Sequence, residues 1–323
     1  MSLINILTGT GVAIVTPFKK NAEVDLDSLG KLIDFIIDNG VEYIVSLGTT
    51  GETPTLSKKE QVEIVDFTSE KINGRVPLVL GIGGNNTSAI IDHFADFKLE
   101  NITAILSSSP NYNKPSQEGI FQHYKAISQQ SPLPVILYNV PGRTGSNITA
   151  ETTLRLANEC ENVQGIKEAS GNMVQCMHIL KNKPGDFLFV SGDDHISLPL
   201  VACGSKGVIS VVANAFPKDF SEMIRLALKN DFENAQKLHY KLLPAYDLLF
   251  IENNPAGVKS FLSELKLLEN VLRLPLVPLS EPNLKKVKDF LSAVSDVNYH
   301  NKIPGIYWFT ALPVQLHGQL IFC

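Results

Sequence analysis

One lysine of this sequence lies where a lysine is expected to do chemistry. The stretch VQGIKEASGN begins as an apolar strand and ends as a Gly/Ser/Asn turn, so Lys167 falls at the strand end. Burial among apolar neighbours disfavours the charged ammonium form, and a neutral amine is a nucleophile towards carbonyl groups. A nucleophilic, imine-forming lysine is therefore one interpretation of Lys167. The ordinary alternative, a lysine that extends its charge to solvent, is more frequent for a single strand-end lysine.

Other strand ends carry polar groups that suit the same chemistry. In GTTGE, the hydroxyls of Thr49 and Thr50 and the neighbouring backbone amides can converge on a carboxylate or carbonyl oxygen. In YNVPGRTG, Tyr138 is a candidate proton donor and acceptor, and Arg143 is a candidate fork for a substrate carboxylate. Each has an ordinary alternative. GTTGE could be a plain turn, Tyr138 a core tyrosine with a satisfied hydroxyl, and Arg143 a solvated loop charge.

Eight strand patterns alternate with helical ones and must position these residues. The short β-branched runs are residues 11–16, 43–47, 76–82, 102–108, 134–139, 163–167, 187–191 and 207–212. They are apolar throughout, which is typical of a parallel sheet covered on both faces. Eight β-then-α units predict an α/β fold, the (β/α)8 TIM barrel, in which reacting groups cluster at the C-terminal strand ends. A doubly wound open sheet is the alternative.

The chain divides into three parts by pattern. Residues 1–230 form the predicted barrel, and residues 231–292 continue as helical segments, which predicts a C-terminal helical appendage. Residues 293–323 contain the only tryptophan and fit neither period, so we interpret them as an atypical tail, disordered or artefactual. Helix starts are indicated by a capping box at Ser57, by possible N-caps at Ser116 and Thr149, and by Pro217, which suits a first helical turn.

Composition excludes several classes of protein. The 323 residues are 44% hydrophobic, enough for a large core, and the net charge of -5 is spread without a Lys/Arg cluster. This favours small-molecule partners over nucleic acid. The sequence has no signal-peptide pattern and no apolar run of about 18 residues, so we expect a cytoplasmic protein without a membrane segment. Four cysteines without C-x-x-C and seven histidines without H-x-x-x-H predict reduced thiols and no metal.

Six motifs bring a known family into view. GTTGE, SPNYNKPSQEG, YNVPGRTG, GIKEASGN, SGDD and GVISV occur in an order and spacing that resemble the dihydrodipicolinate synthase family of class I, Schiff-base pyruvate lyases. The resemblance extends from about Gly9 to Leu291. It implies an enzyme of lysine and diaminopimelate biosynthesis that condenses pyruvate with L-aspartate 4-semialdehyde and uses neither a metal nor an organic cofactor.

The same resemblance assigns roles to the catalytic candidates. It makes Lys167 the amine that forms an imine with pyruvate, and the derived enamine the nucleophile towards the semialdehyde. Tyr138 matches the family's proton donor and acceptor. Thr49 and Tyr112 match its partners in a hydroxyl relay. In the family the tyrosine at the position of Tyr112 enters the site of a neighbouring subunit. The resemblance therefore implies an obligate dimer, usually paired into a homotetramer, a dimer of dimers.

Four further residues match the family's substrate contacts. Thr50 matches the residue that binds the pyruvate carboxylate through its hydroxyl and amide, and Arg143 matches the arginine that binds the semialdehyde carboxylate. Gly192 and Ile209 match wall and backbone contacts to pyruvate. These four complete the expected substrate-binding set.

Two rival functions share part of this pattern. N-acetylneuraminate lyases and sugar-acid aldolases resemble the chain in barrel, lysine and tyrosine, but the GTTGE motif and Arg143 favour the synthases. A catalytically silent barrel that binds a keto acid is the second rival. The presence of every matched proton-transfer residue argues against it.

Overall fold

The computed structural model describes residues 2–300, with side chains described as far as residue 294. Eight parallel strands close into a barrel in chain order, and β1 pairs with β8 through Gly11 and Ile209. The strands are β1 Gly9–Ala13, β2 Tyr43–Ser46, β3 Leu78–Gly81, β4 Ala104–Ser108, β5 Val135–Asn139, β6 Val163–Glu168, β7 Leu188–Ser191 and β8 Gly207–Ser210. The predicted (β/α)8 barrel is confirmed, and the open-sheet alternative is wrong.

Helices surround the barrel and extend beyond it. They are α1 Leu3–Ile6, α2 Leu26–Asp38, α3 Lys58–Ile72, α4 Thr87–His93, α5 Gln117–Gln130, α6 Pro141–Thr144, α7 Ala150–Glu159, α8 Met173–Asn182, α9 Ser197–Ala202, α10 Pro217–Leu228, α11 Phe232–Phe250, α12 Ala256–Glu264 and α13 Glu281–His300. Short 3-10 turns cover Thr49–Gly51, Thr53–Thr55, Phe94–Asp96 and Val212–Asn214. Among the described residues, no helix combines the length and apolar character needed to cross a membrane.

The helix starts follow the signals in the sequence. Ser57 forms the expected capping box with Glu60, whose carboxylate accepts a bond from the Ser57 backbone N–H at 2.8 Å. Ser116 and Thr149 cap α5 and α7 by accepting backbone N–H groups three residues on. Pro217 occupies the first turn of α10, where its missing N–H costs nothing. All four start signals are confirmed.

The barrel interior is a packed core below the site. Apolar side chains such as Val79, Ile136 and Ile209 point inwards and are buried. The Tyr43 ring fills the space above Gly11, where an added Cβ would lie 2.1 Å from that ring. Glycine is therefore required on β1, since any side chain would displace the tyrosine that closes the bottom of the barrel.

The C-terminal helices pack against the barrel's helical layer. The rings of Phe216, Phe261 and Phe290 meet edge to face at centroid distances of 5.5 to 6.0 Å, which joins the start of α10, α12 and α13. The backbone of α13 continues to His300, beyond the end expected near residue 292. The part of the expected tail that follows residue 300 lies outside the described residues.

Candidate active site

A cavity of about 370 Å³ opens at the C-terminal ends of the strands. Its walls come from the strand ends, from the loops that follow them, and from the segment between α11 and α12. The polar and aromatic residues that line it are Thr49, Thr50, Tyr138, Arg143, Lys167, Asp193, His195, Phe250, Asn253 and Asn254. Six of the eight residues singled out from the sequence, including Gly192, thus meet in one cavity.

Lys167 and Tyr138 form the centre of the cavity. They are directly paired across β6 and β5, so the two side chains leave the sheet side by side. Lys167 is 4% exposed, and its Nζ lies 4.3 Å from the centroid of the Tyr138 ring. The alternative in which the Lys167 side chain extends to solvent is therefore excluded. An amine held beside a phenol can exchange protons with it during a reaction.

The floor beside the lysine is open because residue 192 is glycine. A Cβ at Gly192 would lie 2.8 Å from Cε of Lys167 and 2.7 Å from Cβ of Ala169. Any larger residue would push the lysine side chain out of position. This close approach is a physical reason for the glycine in the SGDD motif, which the sequence pattern alone does not supply.

A buried polar network braces the strand ends behind these two residues. Asn139 and Glu168 follow Tyr138 and Lys167 and are paired in the same register. Both oxygens of the Glu168 carboxylate accept bonds from Nδ2 of Asn139, the shorter at 2.9 Å, and one oxygen also accepts the Ser170 N–H at 2.7 Å. Adjacent positions alternate in direction, so this network fixes β5 against β6 from outside the barrel while the reactive pair points inside.

The GTTGE motif forms a tight turn at the end of β2. Thr49–Gly51 is a 3-10 turn, and Thr50 is buried at 2% exposure. The Thr50 hydroxyl accepts a bond from Nδ2 of Asn254 at 2.9 Å. Thr49 and Thr50 both line the cavity, as expected for residues that contact a small carboxylate and a proton relay.

Arg143 lies on the rim of the cavity in the short helix α6. Its Nη2 donates to Oδ1 of Asn253 at 3.1 Å and to the carbonyl oxygen of Asn254 at 3.3 Å. The residue is exposed and keeps donors available for a planar anion. The segment between α11 and α12 therefore contacts both Thr50 and Arg143.

The turn after β7 brings Asp193 and His195 to the cavity edge and buries Asp194 behind them. His195 Nε2 lies 3.1 Å from Asp247 and its Nδ1 lies 3.6 Å from Asp193. The Asp193 and Asp247 carboxylates raise the pKa of His195 to about 9, against the opposing effect of burial. Burial raises the pKa of Asp194 to about 6, although its Oδ2 accepts the backbone N–H groups of Val211 and Val212.

Two expected site residues do not line this cavity. Tyr112 is 89% exposed on the loop after β4, with a left-handed backbone at φ 66°. Ile209 is 1% exposed inside the barrel, and Val211, two residues further on the same face, lines the cavity instead. The structure thus places Ile209 one layer below the cavity and Tyr112 outside it.

Sequence reasoning missed the contribution of the C-terminal helices to the site. Asn253, Asn254 and His195 line the cavity, and none was singled out. The signal for the first two was an Asn-Asn-Pro turn between two predicted helices, which marks a loop without saying what the loop contacts. His195 directly follows the SGDD motif and could have been found from that position.

A buried lysine at the end of β6 beside a tyrosine at the end of β5, in a closed (β/α)8 barrel, defines a class. These are the lysine-dependent aldolases and lyases, which activate a carbonyl substrate as an imine. A model of the dihydrodipicolinate synthetase family matches residues 6–294, and the chain belongs to that family. The family expected from the six motifs is confirmed, and the chain is an enzyme of the lyase type.

Individual relatives agree with this over nearly their whole lengths. The 4-hydroxy-tetrahydrodipicolinate synthase of Parabacteroides distasonis is 51% identical over 289 residues, covering 90% of this chain and 97% of that protein. The dihydrodipicolinate synthase structure from Aquifex aeolicus matches with a TM-score of 0.87 and 40% identity, covering 90% of this chain and 98% of that one. The chloride-inhibited Acinetobacter baumannii enzyme in complex with pyruvate matches with a TM-score of 0.87 and 39% identity, covering 90% and 99%.

Proposed function

We propose that this protein is a cytoplasmic 4-hydroxy-tetrahydrodipicolinate synthase that condenses pyruvate with L-aspartate 4-semialdehyde. The observation that carries the proposal is the buried Lys167 amine beside the Tyr138 ring, in a chain about half identical to proteins of that name. The related Acinetobacter enzyme has been solved with pyruvate, the substrate that an imine-forming lysine would bind first.

The first half of the reaction uses Lys167 and Tyr138. Nζ of Lys167 adds to the ketone carbon of pyruvate, and loss of water leaves a protonated imine. A methyl proton of pyruvate then leaves, and the electron pair moves into a carbon–carbon double bond to give an enamine. Tyr138 is the proposed donor and acceptor of these protons, and the position of its ring beside the Lys167 amine supports this role.

The second half joins the two substrates and releases the enzyme. The enamine carbon attacks the semialdehyde aldehyde, which becomes a hydroxyl and regenerates the imine. The amino group of the semialdehyde then attacks the imine carbon, closes the ring and displaces the Lys167 amine. One water is lost in the whole sequence, so no oxidant, reductant or cofactor is needed to balance it.

Substrate contacts follow from the cavity walls. The hydroxyl and amide of Thr50 bind the pyruvate carboxylate in the proposed complex, and Gly192 leaves room beside the imine. Ile209 supports the pyruvate site from the layer below. Arg143 binds the semialdehyde carboxylate at the rim, a contact with no use in a sugar-aldehyde lyase, and this favours the synthase over the sialate and sugar-acid enzymes.

Tyr112 enters the proposed mechanism from a neighbouring subunit. With Thr49 and Tyr138 it would form a chain of hydroxyls that carries protons between the cavity and solvent. Its 89% exposure in the single chain is the supporting observation, since a proton-relay tyrosine that does not line its own cavity is available to another. We propose a homotetramer, a dimer of dimers, in which each dimer shares the two relays.

Two measurements test the function. Borohydride reduction in the presence of pyruvate should add one pyruvate per chain, detected by intact mass, with the omission of pyruvate as the control. Turnover should then require pyruvate plus aspartate semialdehyde and be absent with pyruvate plus N-acetylmannosamine. Trapping without turnover of the semialdehyde would retain the imine chemistry but reject the substrate assignment.

A further inference from the structure

A buried ion pair lies beside the site and takes no part in the proposed chemistry. Nζ of Lys259 on α12 binds Oε1 of Glu52, the last residue of GTTGE, and both side chains are 0% exposed. The two residues are 207 positions apart in the chain. The pair therefore ties the C-terminal helices to the loop that carries Thr49 and Thr50.

Both members of the pair make a further contact. Lys259 also donates to the carbonyl oxygen of Val271 at 2.9 Å and lies over the Phe18 ring, 4.1 Å from its centroid. The second oxygen of Glu52 accepts the backbone N–H of Arg273 at 3.0 Å. The carboxylate is thus fixed in direction as well as in distance.

Stability alone does not account for this arrangement. Removing two charges from water costs free energy that their attraction only partly returns, and an apolar pair of similar volume often serves stability equally well. Burial lowers the pKa of Lys259 to about 8, even though Glu52 acts in the opposite direction. What the ion pair supplies and an apolar pair would not is a single defined position for the residue that carries the carboxylate.

Glu52 is the residue that sets the course of the loop. It separates the 3-10 turns Thr49–Gly51 and Thr53–Thr55, and its backbone is left-handed at φ 54°. A non-glycine residue adopts that conformation at a cost in strain and needs surrounding contacts to hold it. A shift of the Glu52 side chain would therefore be transmitted directly to the adjoining turn, whose two threonines line the cavity.

We propose that Lys259 and Glu52 are positioning residues that hold the GTTGE loop in the geometry needed to bind pyruvate. The inference rests on the proposed function, because it assigns the loop to pyruvate. The amine of Lys259 does not touch substrate in this proposal. It acts through Glu52, and the loss should be seen in pyruvate affinity and imine formation before it is seen in the later steps.

The test is a change of length at constant charge. Glu52→Asp keeps the carboxylate but withdraws it by one methylene from Lys259 and Arg273, so the loop must move to restore the pair. Glu42→Asp is the matched control, because Glu42 likewise binds a cation, Arg225 at 2.7 Å, and a backbone N–H, that of Thr10 at 2.7 Å, at the opposite end of the barrel. The double variant Glu52→Gln/Lys259→Met removes both charges together.

The measurements are the pyruvate KM, kcat, the rate of borohydride trapping and the melting temperature. Glu52→Asp and the double variant should raise the pyruvate KM by about tenfold and slow trapping, with kcat at saturating pyruvate changed about threefold or less. Glu42→Asp should leave the pyruvate KM unchanged.

Three results would overturn the proposal. The first is a normal pyruvate KM in both altered pairs, and the second is an equal rise in the Glu42→Asp control. The third is failure of both altered pairs to fold while the control folds, which would assign the pair to stability. Absence of trapping in the unaltered enzyme would instead reject the proposed function, so the two failures are distinguishable.

Discussion

Two loops of this molecule are expected to carry relay hydroxyls, and they are held very differently. The GTTGE loop places Thr49 on a turn that is anchored by the buried Glu52–Lys259 pair and by the bond from Asn254 to Thr50. The loop after β4 places Tyr112 at 89% exposure. Its backbone is left-handed at Tyr112 and again at Lys114, with φ 66° and 45°.

The difference separates a loop that serves the chain's own cavity from a loop that is exposed to solvent. The first loop is fixed by contacts that cross more than 200 residues of sequence, so its hydroxyls belong to this chain's own cavity. The second combines backbone strain with an exposed aromatic ring, and such strain is retained where surrounding structure imposes it. A ring this exposed is free to contact a second chain, as the proposed neighbouring subunit requires.

The largest expected effect lies at the centre of the chain's own cavity. Lys167→Ala should abolish borohydride trapping of pyruvate and with it all turnover, because no other lysine lines the cavity among the described residues. Intact mass after reduction is the measurement, with Lys206→Ala near the bottom of the barrel as the control. A Lys167→Ala protein that still gains one pyruvate at full occupancy would place the imine on another lysine.

The outward loop should affect proton transfer but not imine formation. Tyr112→Phe should lower kcat by about a hundredfold while trapping persists, since only the relay hydroxyl is lost. Mixing Tyr112→Phe with Lys167→Ala subunits should restore activity. In random dimers about half are mixed, and each mixed dimer has one complete site, so recovery should reach about a quarter of the unaltered activity.

Recovery of activity shows whether Tyr112 serves the cavity of its own chain or that of a neighbouring chain. A mixture with no more activity than its separate parents would mean that Tyr112 serves the cavity of its own chain. Mixing Thr49→Val with Lys167→Ala provides the contrast. Thr49 lies in the same cavity as Lys167, so the mixed dimer would have one site without the lysine and one without the threonine hydroxyl, and activity should not recover.

A smaller effect is expected where the C-terminal segment meets the rim. Arg143→Ala should lower kcat/KM for the semialdehyde by about 10- to 100-fold, the loss of about 1.5 to 3 kcal/mol from a charge-assisted contact. Pyruvate trapping should be nearly unchanged because the guanidinium is proposed to bind only the second substrate. Equal losses in trapping and turnover would assign Arg143 to pyruvate binding or to the fold.

The sequence was informative wherever a residue's own pattern fixes its place. Lys167 and Tyr138 were predicted to meet because both lie at the ends of adjoining apolar strands. The pairing of β5 with β6 then places the two residues side by side. Strand limits were less accurate. The first was expected at residues 11–16 but is Gly9–Ala13, because Ile14 and Val15 are buried in the core beyond the end of the strand.

Contacts set by tertiary structure were not predictable in this way. Lys259 lies in a helical pattern in which a lysine usually faces solvent, and only the fold brings it to Glu52. The same holds for Asn254 and Thr50, 204 residues apart. Local period predicts that a helix exists but not which distant loop it covers. The contacts that anchor the GTTGE loop were therefore the less predictable ones.

The smallest effect concerns His195, which links the turn after β7 to α11. Asp193 and Asp247 raise its pKa to about 9, so protonation favours the folded state. A raised pKa of this sign gives its full stabilisation below the unfolded value of about 6.5, and the stabilisation disappears as pH rises through 9. The His195 side chain is 35% exposed, and with solvent screening we expect about 1 kcal/mol.

His195→Asn should therefore lower the melting temperature by about 2 °C near pH 6 and leave it unchanged near pH 10. His178→Asn, on the exposed face of α8, is the matched control and should show no such pH dependence. If His195→Asn lowers the melting temperature equally at both pH values, the imidazolium does not stabilise the link between this turn and α11. The contact between the turn after β7 and α11 would then depend on packing, such as that of the His195 ring against Tyr246, and not on charge.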